Sequence, residues 1–335
     1  MLQFADIIAA VLAAIATVTP ENGATVSLDA PGGASQRPVR LAWSGGGEGE
    51  VLLAVKPDGG AREVFALTNA TEAYITNLEL GRRYLWGVVA TDGGGSAASD
   101  FTTEANPPRL LRVDGLSSMR DLGGWTGLGG LPVRQNMLFR SSGLRASSVR
   151  KGGPSFTASY GSGEQNVTDA GLAYMKKEFG VKTDIELRPS GETAFMQSSL
   201  LGPDVAWYKI PFPSGAAIDD IVRGREPFMR IFRLLADGGR YPVLFHCADG
   251  YERSGTLELV LLGLLGVSEE DLRLGWAAGF PAGTGAERLD ALLGYLHSLG
   301  GADIAKCCEA YASSCGVSDE EIAAFRRIML EGGAE

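Results

Sequence analysis

Val243-Leu244-Phe245-His246-Cys247-Ala248-Asp249-Gly250-Tyr251-Glu252-Arg253-Ser254-Gly255-Thr256 is the stretch on which the reading of this chain turns. A short apolar run over 241–245 has the length and composition of a buried strand, and the apolar segment over 254–265 that of a helix. The loop between them wraps around the start of that helix. The amides of Ala248 to Arg253 can all face inward there, which makes an anion nest. The helix N-terminus adds positive potential to it. Gly250 permits the tight backbone turn. Arg253 is placed to grip two oxygens of a phosphate-sized dianion with its planar fork. Cys247 sits at the floor of the nest, where the same field favours thiolate. Ser254 can hydrogen-bond the sulfur when it becomes a leaving group, and His246 can order the loop from behind through backbone hydrogen bonds. Cys247 and Arg253 are thus the candidate catalytic pair. Ala248, Asp249, Gly250, Tyr251 and Ser254 are the candidate anion-binding set, with His246 in support.

On either side of this stretch, strands and helices alternate. The pattern predicts a helix over 168–179, a strand over 181–187, a helix over 223–236, and closing helices near 286–299, 304–313 and 319–330. Alternation of this kind argues for a central sheet flanked by helices. The Gly/Ser-rich segment 151–165 reads as an inserted loop, and Glu104-Ala105-Asn106-Pro107-Pro108 as a linker. Upstream of the linker the texture is all-β. Short alternating runs at 39–43, 50–55, 84–90 and 100–103 are separated by turn signals such as Pro57-Asp58-Gly59-Gly60 and Asp92-Gly93-Gly94-Gly95. Strands of this spacing suggest a small sandwich.

The motif His-Cys-x2-Gly-x2-Arg-Ser-Gly-Thr, set between an apolar strand and an apolar helix, resembles the signature of the cysteine-dependent tyrosine and dual-specificity phosphatase superfamily. Rhodanese-type sulfurtransferases usually have a shorter loop. Met119-Arg120-Asp121-Leu122-Gly123-Gly124, Leu138-Phe139-Arg140-Ser141-Ser142-Gly143 and Asp184-Ile185-Glu186-Leu187-Arg188-Pro189-Ser190-Gly191-Glu192 follow in order. Together they resemble the bacterial tyrosine/serine phosphatase group, over about 108–332. The resemblance implies an α/β phosphatase domain, a cysteinyl-phosphate intermediate, no metal or other cofactor, and a phosphorylated protein or small phosphomonoester as substrate. Where that group carries Lys or Ala and then Asp, this chain has Tyr251-Glu252. Glu252 therefore falls at the acidic loop position proposed as general acid, and Asp219 or Asp220 is the alternative acid. The missing loop lysine argues against a phosphoinositide substrate. A phosphate-binding pseudoenzyme and a phytase-like hydrolase are the rival readings. Arg120-Asp121 and Arg188…Glu192 suggest an ion-pair set under the loop. Trp276 and Phe280 are candidates for the pocket rim, with core packing the alternative. Residues 19–104 resemble a fibronectin type III module, with Trp43 as its early core tryptophan and Tyr84 bonding back to the preceding turn. That implies a spacer or a module for docking to protein or glycan.

Composition narrows the remaining classes. The 335 residues suggest two domains. Glycine, at 47 residues, is about twice its usual ~7% but has no three-residue period, so it marks turns and close approaches. A net charge of −10 disfavours a nonspecific nucleic-acid binder. Cys307, Cys308 and Cys315 read as packed thiols rather than a disulfide or metal pair. Only two histidines, His246 and His297, are present, which excludes a multi-histidine zinc site. Residues 1–18 form an apolar leader ending near Ala14-Ile15-Ala16, interrupted by Asp6 and preceded by no Lys or Arg. A degenerate signal peptide and an amphipathic lead helix fit it equally. The β-module and the Ala-Ile-Ala site lean toward export to the envelope or beyond.

Overall fold

Strand β14 (Val243–His246) is buried at every residue, as its unbroken apolar run requires of a strand covered on both faces. In the computed structural model it lies inside a six-stranded sheet of order β13-β12-β14-β11-β10-β9. The others are β13 (Ala206–Lys209), β12 (Thr183–Glu186), β11 (Leu138–Ser141), β10 (Arg120–Asp121) and β9 (Arg109–Leu110). The first four strands in that order run parallel, and β10 and β9 are antiparallel additions. The carboxyl ends of β12, β14 and β11 meet in register at Glu186, His246 and Ser141. Ligands in open α/β sheets bind at that edge.

The structure describes residues 15–29, 35–45, 49–60, 63–145, 167–193, 196–214, 217–280 and 285–332. The inserted loop expected at 151–165 and residues 1–14 of the expected leader lie outside them. The chain divides into two units, one formed by Met1–Gly32 and Gln36–Asn106, the other by Gly33–Ser35 and Pro107–Glu335.

In the second unit, helices follow the strands: α1 (Asp169–Lys177), α2 (Ala217–Arg223), α3 (Arg225–Leu235), α4 (Glu252–Leu264), α5 (Glu269–Gly279), α6 (Ala286–Ser298), α7 (Ile304–Ser314) and α8 (Asp319–Met329). The helix expected over 223–236 begins only at Arg225, and a separate short helix precedes it. Gly224 lies at the break, where a glycine weakens helix continuity. Helix α4 is apolar on all sides and buried along nearly its whole length, as such a helix must be. It starts at Glu252, two residues before the expected 254, and an acidic residue in the first turn suits the dipole. Cys307, Cys308 and Cys315 are buried free thiols of the main apolar cluster.

The first unit contains two sheets. One is antiparallel, with order β1-β3-β6, built from β1 (Ala16–Thr19), β3 (Val39–Ser44) and β6 (Glu72–Ile75). The other has order β2-β8-β7-β4-β5, from β2 (Ala24–Val26), β4 (Glu50–Pro57), β5 (Glu63–Thr68), β7 (Arg83–Ala90) and β8 (Ser96–Thr103). Both sheets contribute to one apolar cluster that includes Leu41, Trp43, Leu53, Trp86, Val88 and Phe101. Tyr84 stacks on Phe101 at 5.5 Å, and its hydroxyl accepts the Glu79 N–H at 2.9 Å. Residues 16–18, inside the expected leader, form most of β1.

Candidate active site

The loop after β14 packs against the loop after β11. Gly250 has φ +77, and a Cβ on it would lie 2.8 Å from Ser141 C and Ser142 N. Both its conformation and its surroundings require glycine. The Gly143 N–H donates to Ala248 O at 3.0 Å, tying the second loop to the first. Cys247 is 3% exposed, and its Sγ lies 3.4 Å from Ser254 Oγ in the first turn of α4. A cleft of about 330 Å³, including its open mouth, is lined by Cys247, Ala248, Asp249, Tyr251, Glu252, Arg253 and Phe280. All but Phe280 come from the one stretch that the sequence singles out, with His246 buried behind it.

Arg253 is also nearly buried. Its Nη1 and Nη2 donate to Glu192 Oε1 and Oε2 at 2.9 and 3.1 Å. Burial alone would lower its pKa, but the charges of Cys247 and Glu192 outweigh burial and hold it above its usual range. Glu192 thus fixes the guanidinium in a bidentate fork. The ion-pair set expected from Arg188…Glu192 is therefore rewired: Arg188 turns to Glu186, with Nε–Oε1 at 2.8 Å and Nη2–Oε2 at 2.7 Å.

His246 also departs from expectation. Its ring is fully buried, with Nε2 2.8 Å from Asp184 Oδ1 and Nδ1 3.7 Å from Glu186 Oε2. Its ring bonds to the Asp184 carboxylate on β12 rather than to backbone. Burial opposes its positive charge, but Glu186 and Asp184 outweigh burial and raise its pKa. Burial likewise opposes the Glu186 charge, and His246 and Arg188 lower that pKa in spite of it. Ser199 Oγ donates to the second oxygen of Asp184 at 2.6 Å.

Arg120 and Asp121 do not pair with each other, because adjacent strand residues point to opposite faces. Asp121 binds Arg109 at 2.6 Å. Arg120 donates to the carbonyls of Gly275 and Ala278 near the end of α5. Arg140 pairs with Glu258 on α4. Of the alternative acids, Asp219 lies in α2 beside Arg223 at 3.4 Å and is not among the cleft residues. The side chain of Asp220 lies outside the described residues. Phe280 lines the cleft with its ring centroid 5.7 Å from that of Tyr251, and Trp276 stacks behind it at 4.7 Å. Sequence reasoning did not find Glu192 as the partner of Arg253, nor Asp184 as the partner of His246.

A buried cysteine and an arginine converge at the start of a helix, the arrangement expected of a cysteine-dependent phosphatase site. The profile of the tyrosine phosphatase family matches residues 111–277, which contain the whole loop. A curated protein of Cupriavidus necator named "Putative tyrosine-protein phosphatase" is 28% identical over 187 residues, covering 48% of this chain and 60% of the relative. The chain thus spans about three-fifths of that relative's length. Two solved structures of the Siw14 catalytic core, one of them titled as the PP-IP phosphatase of S. cerevisiae with citrate, align at 14% identity. They cover 46% of this chain and 78% of theirs, with TM-scores of 0.30 and 0.29. Over residues 111–277 the chain is thus similar to the tyrosine phosphatase family.

Proposed function

We propose that this chain is a metal-independent phosphomonoesterase that works through a cysteinyl-phosphate, with aryl phosphates such as phosphotyrosine as its substrate class. The observation that carries the reading is the convergence of Cys247 and Arg253 on one cleft at the start of α4, with the Ser254 hydroxyl against the Cys247 sulfur. Cys247 thiolate attacks phosphorus in line. Arg253 and the loop amides of residues 248–253 hold the equatorial oxygens as charge builds on them. Glu252 gives its proton to the leaving oxygen, and the resulting carboxylate then draws a proton from the water that hydrolyses the intermediate. The Ser254 hydroxyl hydrogen-bonds the departing sulfur. The Tyr251–Phe280 wall favours a flat aromatic leaving group over a sugar-like one.

Phosphate release from p-nitrophenyl phosphate in the presence of chelator is expected, and Cys247→Ser should abolish it. Undiminished release by that variant would sink the mechanism. A second reading, a module that binds phosphate without turnover, draws support from Glu192, which already occupies both terminal nitrogens of Arg253. Tight phosphopeptide binding with no release would select it. We assign the first unit the part of a fibronectin type III-like docking module, in keeping with the Tyr84–Glu79 bond and the Trp43 core.

A further inference from the structure

The junction between α5 and α6 brings a cation to the carboxylate at the mouth of the cleft. Trp276 donates its indole N–H to Gly285 O at 2.9 Å, just before α6 begins. Gly285 has φ +84, and a Cβ on it would lie 2.8 Å from the Phe280 ring and 3.1 Å from Trp276 Nε1. A side chain at that position is therefore excluded twice, by conformation and by space. This close seat fixes where the first turn of α6 starts. Arg288, in that turn, places Nη1 3.9 Å from Glu252 Oε1. The Arg288 side chain is only 14% exposed, against 36% for Glu252, so the cation is the more buried of the two. A glutamate has one more rotatable bond than an aspartate and loses more freedom when held in one orientation. Misplacing a reacting group by about 1 Å can cost about 100-fold in rate.

We propose that Arg288 is a positioning residue for Glu252, holding its carboxyl group within reach of the leaving oxygen and stabilising the carboxylate after proton transfer. The proposal rests on the reading of Glu252 as acid and base. In the first step the sulfur–phosphorus bond forms and the phosphorus–oxygen bond breaks. Its electron pair stays on the leaving oxygen, which takes the Glu252 proton. The carboxylate so formed faces Arg288. In the second step that carboxylate takes a proton from the attacking water as its oxygen bonds to phosphorus, the sulfur–phosphorus bond breaks with its electron pair returning to the thiolate, and inorganic phosphate leaves.

The test compares kcat on p-nitrophenyl phosphate, phenyl phosphate and a simple alkyl phosphate for the full chain and for Glu252→Gln, Arg288→Gln, Arg288→Lys and Gly285→Ala. General acid catalysis matters more as the leaving group becomes more basic, and it is commonly worth about 10²–10⁴ in rate. Glu252→Gln should lose about 100-fold on phenyl phosphate and less on p-nitrophenyl phosphate. Arg288→Gln should show the same leaving-group pattern at about tenfold, with KM unchanged and partial recovery in Arg288→Lys. Gly285→Ala, which touches neither charge, should reproduce the pattern by shifting α6. If Glu252→Gln steepens the leaving-group dependence and neither Arg288→Gln nor Gly285→Ala does, the role of Arg288 is overturned and the acid assignment stands. If Glu252→Gln leaves the dependence unchanged, the acid assignment falls and this proposal falls with it.

Discussion

Glu192 and His246 show how single residues set the chemistry of the loop from outside it. The Glu192 fork leaves Arg253 little rotamer freedom, so the phosphate of the proposed reaction would meet a guanidinium already oriented. Glu192→Gln keeps the shape but removes one charge-assisted acceptor. It should lower kcat/KM on p-nitrophenyl phosphate by about 10–100-fold through lost orientation, as steady-state kinetics would show. An unchanged kcat/KM would mean that the loop amides alone align the phosphate. The His246 ring lies beside the carboxylates of Asp184 and Glu186, which outweigh burial, so its pKa is raised and that of Glu186 is lowered. A raised histidine contributes fully below its unfolded value of ~6.5 and loses that contribution as pH rises through the folded value. A lowered glutamate contributes fully above its unfolded value of ~4.3 and loses it as pH falls through the folded value. Both contributions are complete only between about 4.3 and 6.5. Thermal unfolding should therefore be most favourable to the fold in that window. His246→Asn should flatten the decline in melting temperature above pH ~6.5. An identical slope in the variant would place the pH dependence elsewhere.

At the scale of elements, the loop is positioned by a strand and a helix whose packing tolerates little change. The register Glu186↔His246 between β12 and β14 carries the carboxylates to the imidazole. That is why the network was hidden in the sequence. Asp184 and His246 are 62 positions apart, and only the lateral pairing of two strands brings them together. The strand, the loop and the apolar helix were legible because each follows from local composition. The break at Gly224 was not read because the apolar residues on either side keep helical spacing, and one glycine inside such a pattern is usually tolerated. Helix α4 is the other half of the support. Its Gly263 faces Cys308 on α7, and a Cβ there would sit 2.5 Å from the sulfur. Gly263→Ala should overpack this contact and destabilise the fold by about 1–3 kcal/mol despite the better helix propensity of alanine. Denaturant titration would measure it, and a stabilised variant would show that the two helices can part without loss.

For the molecule as a whole, charge matters more than shape. The chain carries a net charge of −10, yet the reaction we propose requires it to receive a dianion. Composition alone disfavoured a nonspecific nucleic-acid binder. The motif showed a local site with Asp249 and Glu252 in its loop, but not that Glu192 pairs with the one arginine of that loop. In the proposed reaction the long-range potential would oppose the substrate, while the short-range attraction would come from backbone amides and a preoriented guanidinium. The first is screened by salt, with a Debye length of about 10 Å at 0.1 M, and the second acts at contact and is screened much less. Raising ionic strength from ~0.01 to ~0.1 M, which shortens the Debye length from about 30 to about 10 Å, should then raise kcat/KM for p-nitrophenyl phosphate severalfold, with kcat nearly constant. Enzymes steered by basic mouths show the opposite trend. A fall in kcat/KM with salt would mean that a positive field dominates the approach to the cleft in spite of the acidic chain.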